Sequence, residues 1–354
     1  MQAQTHYIDL QLLNVALRLI SPQEKVLDFI TRFTGLPTQN KMNSDPNIHV
    51  NLEFTKQIQI EKHYNKISRN IWLDHSSVLV TEIPKFPTLS LEVNMKDSKL
   101  YVNAFLSDKK TSKWKDILNY IAVSDKHKLY NLIALTYYLV YFPLAYYLER
   151  FSNLFLLHAS AFEYGQYAVI LSGLGGVGKS TFSLATLSLE GSKVISDNLI
   201  FHDTKNIYSF PEPIALDPKS INMLATTEQI LIPHQIASGH NRLYYHLRPE
   251  NRSHRATPKY LFWLQSGNEN KLTPVDTPKC IKNVLNINLL ANELREYYLI
   301  AAMFDLALPQ PLAPDSYLNN LTNLLENIDC FILEFKPGDD IETIFAESRV
   351  DVIL

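Results

Sequence analysis

Along the chain the spacing of apolar positions changes several times. In residues 10–20 and 26–33 apolar residues recur at helix-like intervals, which predicts two amphipathic helices. From residue 49 the pattern alternates. Residues 49–54, 77–81, 89–94 and 99–105 predict strands of a mostly antiparallel sheet. Between these blocks, residues 38–47 are polar and flanked or punctuated by Pro37 and Pro46, so a loop is expected. The lysine-rich residues 108–116 predict a solvated loop and the start of a helix.

A helical stretch near 128–151 then opens a second set of elements. Short apolar runs at 154–163, 167–172, 193–198, 199–202, 207–210, 259–265 and 330–335 predict strands. Residues 181–189, 289–305 and 317–328 predict helices, with Gly191 as the C-cap of the first. The polar turn at 163–166 carries a hairpin signal. The expected architecture is α/β, α+β overall, in two domains. Residues 1–127 form a smaller N-terminal α+β domain for recognition or assembly, and residues 128–354 form the second domain.

Composition narrows the class. A chain of 354 residues with 46% hydrophobic and 19% charged residues has the balance of a folded protein of about two domains. A net charge of −3 gives no general attraction to nucleic acid or to an anionic membrane, so neither is expected as a partner. The apolar stretch 132–148 is shorter than the roughly 20 residues of a membrane span, and it contains Pro143 and several tyrosines. A buried helix in a soluble protein is expected there. The first ten residues lack the basic start and apolar core of a signal peptide. Two cysteines, Cys280 and Cys330, make no disulfide framework or metal site, which fits a reducing cytoplasm.

The chemistry concentrates in one stretch, Gly173-Leu174-Gly175-Gly176-Val177-Gly178-Lys179-Ser180-Thr181. Four of the chain's ten glycines lie within it. The spacing is that of a phosphate-binding loop, in which backbone N–H groups surround phosphate oxygens at a helix start. Lys179 would reach the β- and γ-phosphates, and the Ser180 hydroxyl would ligate Mg²⁺. The flanking strand at 167–172 and helix at 181–189 are the context that this motif requires.

Three further groups are candidates. Asp197 ends an apolar strand one helix and one return strand after Lys179, close enough to meet Mg²⁺ or an attacking hydroxyl. A turn is the structural alternative, because Asp-Asn is a good turn pair. His158 lies on an apolar strand before the loop, where a core histidine is the alternative to a catalytic or metal-binding one. The segment 242–255 carries Arg242, Arg248, Arg252 and Arg255, as either an active-site loop or a solvated one. Arg295 on the predicted helix 289–305 is expected at the surface.

At these residues the chain resembles the HPr kinase/phosphorylase group. The matching block is residues 157–161, 170–181 and 194–198, inside a region of clear similarity of about 50 residues, roughly 155–205. The His-x-Ser-Ala element at 158–161 also resembles ATP-dependent phosphoenolpyruvate carboxykinase. The resemblance implies a phosphate-loop core with a mixed sheet, using ATP and Mg²⁺. It implies that Asp197 takes the proton from a substrate hydroxyl and that His158 stands near the active site. Asn198 occupies the place of the family's second Asp, where its amide oxygen can still ligate Mg²⁺. Ser180, Asp197 and Asn198 are thus the implied metal ligands. The expected activity is transfer of the γ-phosphoryl group to a serine of a peptide or protein. A nucleotide-binding regulatory module, or a kinase for free serine or a sugar, remain the alternatives, and homo-oligomerisation is left open.

Overall fold

The computed structural model describes residues 5–38, 45–83, 85–107, 126–224, 230–237, 242–308 and 315–350. The lysine-rich segment 108–116 and most of the predicted loop 38–47 lie outside the described residues. The architecture is mixed α and β throughout, as the apolar pattern predicts.

Residues 10–20 form a hairpin rather than the expected helix. Strand β1 (His6–Leu12) turns through Leu13, at φ 53°, into β2 (Val15–Ser21), pairing Leu10 with Leu17 and Leu12 with Val15. In β2 almost every residue from Val15 to Leu19 is buried, so the strand has no polar face and no alternation to read. Helix α1 (Glu24–Thr34) follows its period and buries Val26, Leu27, Phe29, Ile30 and Phe33. Strands β3 (Ile48–Thr55), β4 (Asn65–Lys66), β5 (Ile71–Leu73), β6 (Ser77–Val80), β7 (Leu89–Lys96) and β8 (Lys99–Ser107) complete an eight-stranded sheet. Its order is β1-β2-β3-β8-β7-β6-β5-β4. Only the β2–β3 and β3–β8 pairs are parallel.

Helix α2 (Lys126–Thr136) runs through a π-helical turn at Tyr137–Tyr141 into α3 (Phe142–Ser152). The stretch Asn131–Ser152 is long and apolar enough to cross a membrane, and 83% of its window is buried within the fold. At its end Arg150 makes a bidentate pair with Asp305, at 3.0 and 2.6 Å, and Tyr146 donates to the same carboxylate. The neighbouring Glu149 carboxyl is buried and accepts from the Tyr297 hydroxyl; burial pushes its pKa upward. These residues belong to one compact unit, made of Met1–Ser152, Ala237–Gly239 and Tyr297–Leu312. The expected boundary at 127/128 therefore falls ahead of a helix pair that this unit includes.

The other unit comprises Asn153–Ile236, His240–Glu296 and Ala313–Leu354. It opens with β9 (Phe155–Leu157), β10 (Ser160–Tyr164) and β11 (Tyr167–Ser172), followed by helix α4 (Lys179–Ala185). Next come β12 (Lys193–Ser196), β13 (Ile200–His202), β14 (Ile207–Ser209), β15 (Ile214–Leu216) and α5 (Pro218–Met223). Strands β16 (Leu231–Ala237), β17 (Leu243–Leu247), β18 (Arg255–Ala256), β19 (Pro258–Ser266) and β20 (Lys271–Pro274) precede α6 (Thr277–Leu290) and α7 (Asn292–Asp305). Helix α8 (Ser316–Leu325), strand β21 (Asp329–Phe335) and helix α9 (Ile341–Ser348) close the described chain.

A six-stranded sheet, β12-β10-β11-β19-β21-β20, forms the centre of this unit. Its β11–β19 and β19–β21 pairs are parallel and the others antiparallel, so the sheet is mixed. Strand β11 is buried on both sides. Ile170 packs with Cys280, Val284 and Leu321 on one face, while Val169 and Leu171 pack with Phe182, Ile344 and Phe345 on the other. This three-layer burial explains why β11 reads as an unbroken apolar run. Smaller sheets, β18-β14-β13-β9 and β15-β17-β16, flank it in the chain. Two helices differ from expectation. Helix α4 gives way to a 3-10 turn at Thr186–Ser188, well before Gly191, and the stretch 289–305 breaks at Ala291, whose extended ψ of 119° separates α6 from α7.

Candidate active site

The buried strand β11 must turn sharply into α4, and the glycines make that turn possible. Gly173 has φ 149°, and a Cβ there would lie 2.9 Å from the Leu264 carbonyl oxygen and 3.1 Å from Val177 Cγ1. Gly178, at φ 99°, occupies a left-handed position immediately before the helix. At Gly175 and Gly176 nothing lies within 4 Å of an added Cβ, so the loop backbone is open to solvent there. Lys179 begins the helix and folds its side chain back. Its Nζ donates to the carbonyl of Gly173 at 2.9 Å and more weakly to that of Leu174. Burial lowers the Lys179 pKa, opposed by the charges of Asp197 and Glu293.

Asp197 follows β12, which pairs with β10 so that Ala161 faces Ser196. The turn after β12 is tied by Ser196, whose hydroxyl donates to the Leu199 carbonyl at 2.6 Å. This brings Asp197 beside the loop helix. Ser160 Oγ donates to Asp197 Oδ1 at 2.9 Å, and the Ser180 hydroxyl donates to the same carboxyl. Loss of water raises the Asp197 pKa above the usual carboxylate value; the two hydroxyls and the charges of Lys179 and Arg242 pull it back. Directed hydrogen bonds thus favour the ionised carboxylate, and desolvation, the larger effect, favours its taking a proton.

His158 lies between β9 and β10 with 9% of its surface exposed. Its backbone N–H donates to Asn288 Oδ1 at 3.0 Å, and Asn288 in turn donates to the Tyr317 hydroxyl. The buried Nδ1 has no hydrogen-bond partner in the fold. Desolvation, with Lys179 nearby, pushes the His158 pKa down to about 4, so the ring is neutral at pH 7. A neutral imidazole with an open nitrogen can take or give one hydrogen bond without adding charge.

These groups share one cavity of about 440 Å³, lined by His158, Lys179, Ser180 and Asn198 together with Arg242 and Glu293. Asp197 joins them through its bonds to Ser180 and Ser160. Of the four arginines in the basic segment, Arg242 alone lines the cavity, and its charge acts on Asp197 and Asp217. Arg252 donates to Ser209 at 2.9 Å, Arg255 stands over the Tyr208 ring, and the Arg248 N–H bonds to the Ile230 carbonyl. Arg295 is exposed and bonds its neighbour Asn292.

Three carboxylates escaped the sequence reasoning. Asp217 caps α5 by accepting from the Ser220 N–H at 2.8 Å, and that bond lowers its pKa. The Asp217-Pro218 pair is a legible cap signal, although nothing in it points to a cavity. Glu293 begins α7, where an acid is an ordinary first-turn residue. Glu212 accepts from Asn198 Nδ2 at 3.2 Å, a contact between loops that no local pattern reveals.

Asn198 adopts φ 43°, a left-handed conformation that Asn tolerates better than most residues. Its amide nitrogen faces Glu212, leaving the amide oxygen as a donor atom on the cavity wall. The Ser180 hydroxyl, the Asp197 carboxylate and this amide oxygen are hard oxygen donors of the kind Mg²⁺ takes when phosphates supply its other ligands. The donor set thus fits such an ion. Among the described residues no group of three or more His, Cys, Asp or Glu side chains is arranged to hold a metal without a ligand's help.

No protein-family model and no curated protein matches the chain. Among solved structures, the HPr(Ser) kinase/phosphatase from Coxiella burnetii aligns with 13% identity over 56% of this chain and 92% of its own, at a TM-score of 0.26. An alignment that loose leaves fold and site resting on this chain's own residues.

Proposed function

We propose that the protein is an ATP-dependent kinase that transfers the γ-phosphoryl group to a hydroxyl, with a serine of a peptide or protein as the favoured acceptor. The observation that carries this is the hydrogen-bonded carboxylate of Asp197, fixed by Ser160 and by the loop's own Ser180, beside Lys179. A carboxylate tied to the phosphate loop is placed to meet a nucleophile at the terminal phosphate.

In this mechanism the loop backbone between Gly173 and Gly178 holds the phosphates. Lys179 exchanges its bonds to the Gly173 and Leu174 carbonyls for phosphate oxygens. The acceptor hydroxyl gives its proton to Asp197 while its oxygen bonds the γ-phosphorus, and the bond to the β–γ bridging oxygen breaks to release ADP. Mg²⁺, held by Ser180, Asp197 and the Asn198 amide, would neutralise charge on the β- and γ-oxygens. Arg242 adds positive charge at the cavity wall, and neutral His158 hydrogen-bonds and orients the phosphoryl group or the acceptor. The N-terminal α+β unit is a recognition or assembly module in this scheme, and free, buried Cys280 and Cys330 suit a reducing cytoplasm.

The test is transfer from labelled ATP to serine peptides, with free serine as a parallel acceptor. Wild type should transfer, while Lys179→Ala and Asp197→Asn should each lose about 100-fold or more. Equal transfer by all three proteins would remove the assignment. Asn198 favours a second scheme, in which bound nucleotide sets partner affinity without transfer. That scheme is distinguished by ATP affinity and ATP-dependent partner binding in the absence of any phosphorylated product.

A further inference from the structure

A nucleoside triphosphate has two ends, and the polar cavity accounts for one of them. In an in-line displacement the acceptor oxygen and the leaving diphosphate lie on opposite sides of the transferred phosphorus. With Asp197 and His158 on the acceptor side, the nucleoside must leave the loop toward other residues. A second cavity, of about 350 Å³, borders the same loop and is lined by none of Asp197, His158 and Lys179. The two cavities share Gly178 and Thr181, so one bound molecule can pass from the first to the second at the start of α4.

The walls of this second cavity differ in chemistry. Phe182 on α4, Leu224 after α5, Phe335 at the end of β21, Pro337 and Ile341 give it an apolar lining. The rings of Phe182 and Phe335 stand 6.1 Å apart and tilted, a spacing that offers an aromatic edge and face to a flat heterocycle. The polar rim carries three acids and Lys336, whose Nζ pairs with Glu347 at 3.3 Å. Asp339 accepts from Asn270 at 2.7 Å, Asp340 caps α9 through the Thr343 N–H at 2.7 Å, and Glu342 accepts from Ser188 Oγ at 2.7 Å. Carboxylates on the rim repel phosphate and accept from hydroxyl or amine donors, which is the distribution of groups on a nucleoside.

We propose that this slot is the nucleoside subsite, with the base packed against the exposed edges of the contacting Phe182 and Phe335 rings and the ribose hydroxyls toward the carboxylates of the rim. The proposal rests on the nucleotide reading above and adds where the non-phosphate half of the ligand binds. Ser188 is an exposed residue at the rim, so Ser188→Trp plugs the slot while leaving the phosphate loop intact, and Ser188→Ala is the open control.

The experiment compares calorimetric affinities of ATP and inorganic tripolyphosphate, with Mg²⁺, for the full chain. Wild type and Ser188→Ala should bind ATP at least about 10-fold more tightly than tripolyphosphate. Ser188→Trp should lose that preference and keep its tripolyphosphate affinity. Retention of the full ATP preference by a folded Ser188→Trp overturns the subsite but leaves the phosphate site standing. Failure of wild type to bind either probe overturns the nucleotide reading itself. Photolabelling of wild type with 8-azido-ATP gives a measurement independent of any variant's folding. Label in the peptide spanning Phe335 to Ile344 supports the subsite, and label confined to peptides of the polar cavity overturns it.

Discussion

Ser160 Oγ lies 2.9 Å from Asp197 Oδ1 and donates to it across two neighbouring strands. Ser160 is fully buried, so its hydroxyl is fixed and its single proton is committed to the carboxylate. The bond favours the ionised form and works against the desolvation that raises the Asp197 pKa. Ser160→Ala should therefore raise that pKa further. The acid limb of the kcat/KM profile for phosphoryl transfer should move up by about 0.7 of a pH unit, as expected for loss of a hydrogen bond worth about 1 kcal/mol. An unmoved limb would separate Asp197 from the titration that limits the rate.

Gly173→Ala tests the loop without touching a polar side chain. The new Cβ would meet the Leu264 carbonyl at 2.9 Å, at a φ that alanine rarely adopts. The substitution should cost about 1–3 kcal/mol of stability and reduce tripolyphosphate affinity by about 10-fold or more. Thermal unfolding and calorimetry would read the two effects separately.

Acid should destabilise the protein through its buried histidines. His158 and His202 both have pKa values pushed down to about 4, chiefly by burial, while an unfolded histidine titrates near 6.5. Between those values the unfolded chain binds protons that the folded chain refuses, so stability falls as pH drops from about 6.5 toward 4. The raised pKa of Asp197 acts in the opposite direction as the pH falls. The His158→Gln/His202→Gln pair should flatten the slope, which is on the order of 3 kcal/mol per histidine when fully expressed. Urea unfolding midpoints at pH 7, 6 and 5 measure it.

Arg242→Ala and Arg255→Ala make a matched pair within the basic segment. Arg242 lines the cavity and its charge reaches Asp197, whereas Arg255 covers the Tyr208 ring. Loss of Arg242 should lower transfer by about 10- to 100-fold, and loss of Arg255 by less than about twofold. Equal effects would detach Arg242 from the chemistry.

The residues whose identity depends on local spacing were legible in the sequence. The glycines of the loop, Lys179 and Ser180 announce themselves because the sharp turn from β11 into α4 and the phosphate-loop spacing set those residue types at that interval. Asp197 and His158 were legible as positions, and the structure brings both to the loop. Glu212, Glu293 and the choice of Arg242 were not, because each reaches the site through tertiary placement rather than through its neighbours in sequence. The same reason explains the misread hairpin at residues 10–20, where burial on both faces of β2 erased the alternation that marks a strand. The break at Ala291 was hidden because the apolar period continues across it.

The pairing of Arg150 with Asp305 carries a consequence for the order of folding during synthesis. The unit that holds the first 152 residues also needs Tyr297 for Glu149, Phe304 for Tyr146 and Asp305 for Arg150. A ribosome would have made the glycine-rich loop and most of its sheet before supplying those three. The part of the protein begun first is thus completed late, and a fragment ending near residue 152 would keep the Glu149–Arg150 pair but lack the Tyr297 hydroxyl and the Asp305 carboxylate that bond to it. Separate expression of the two units calls for carrying the 297–312 segment along with the N-terminal one, by circular permutation or co-expression, rather than for a single cut.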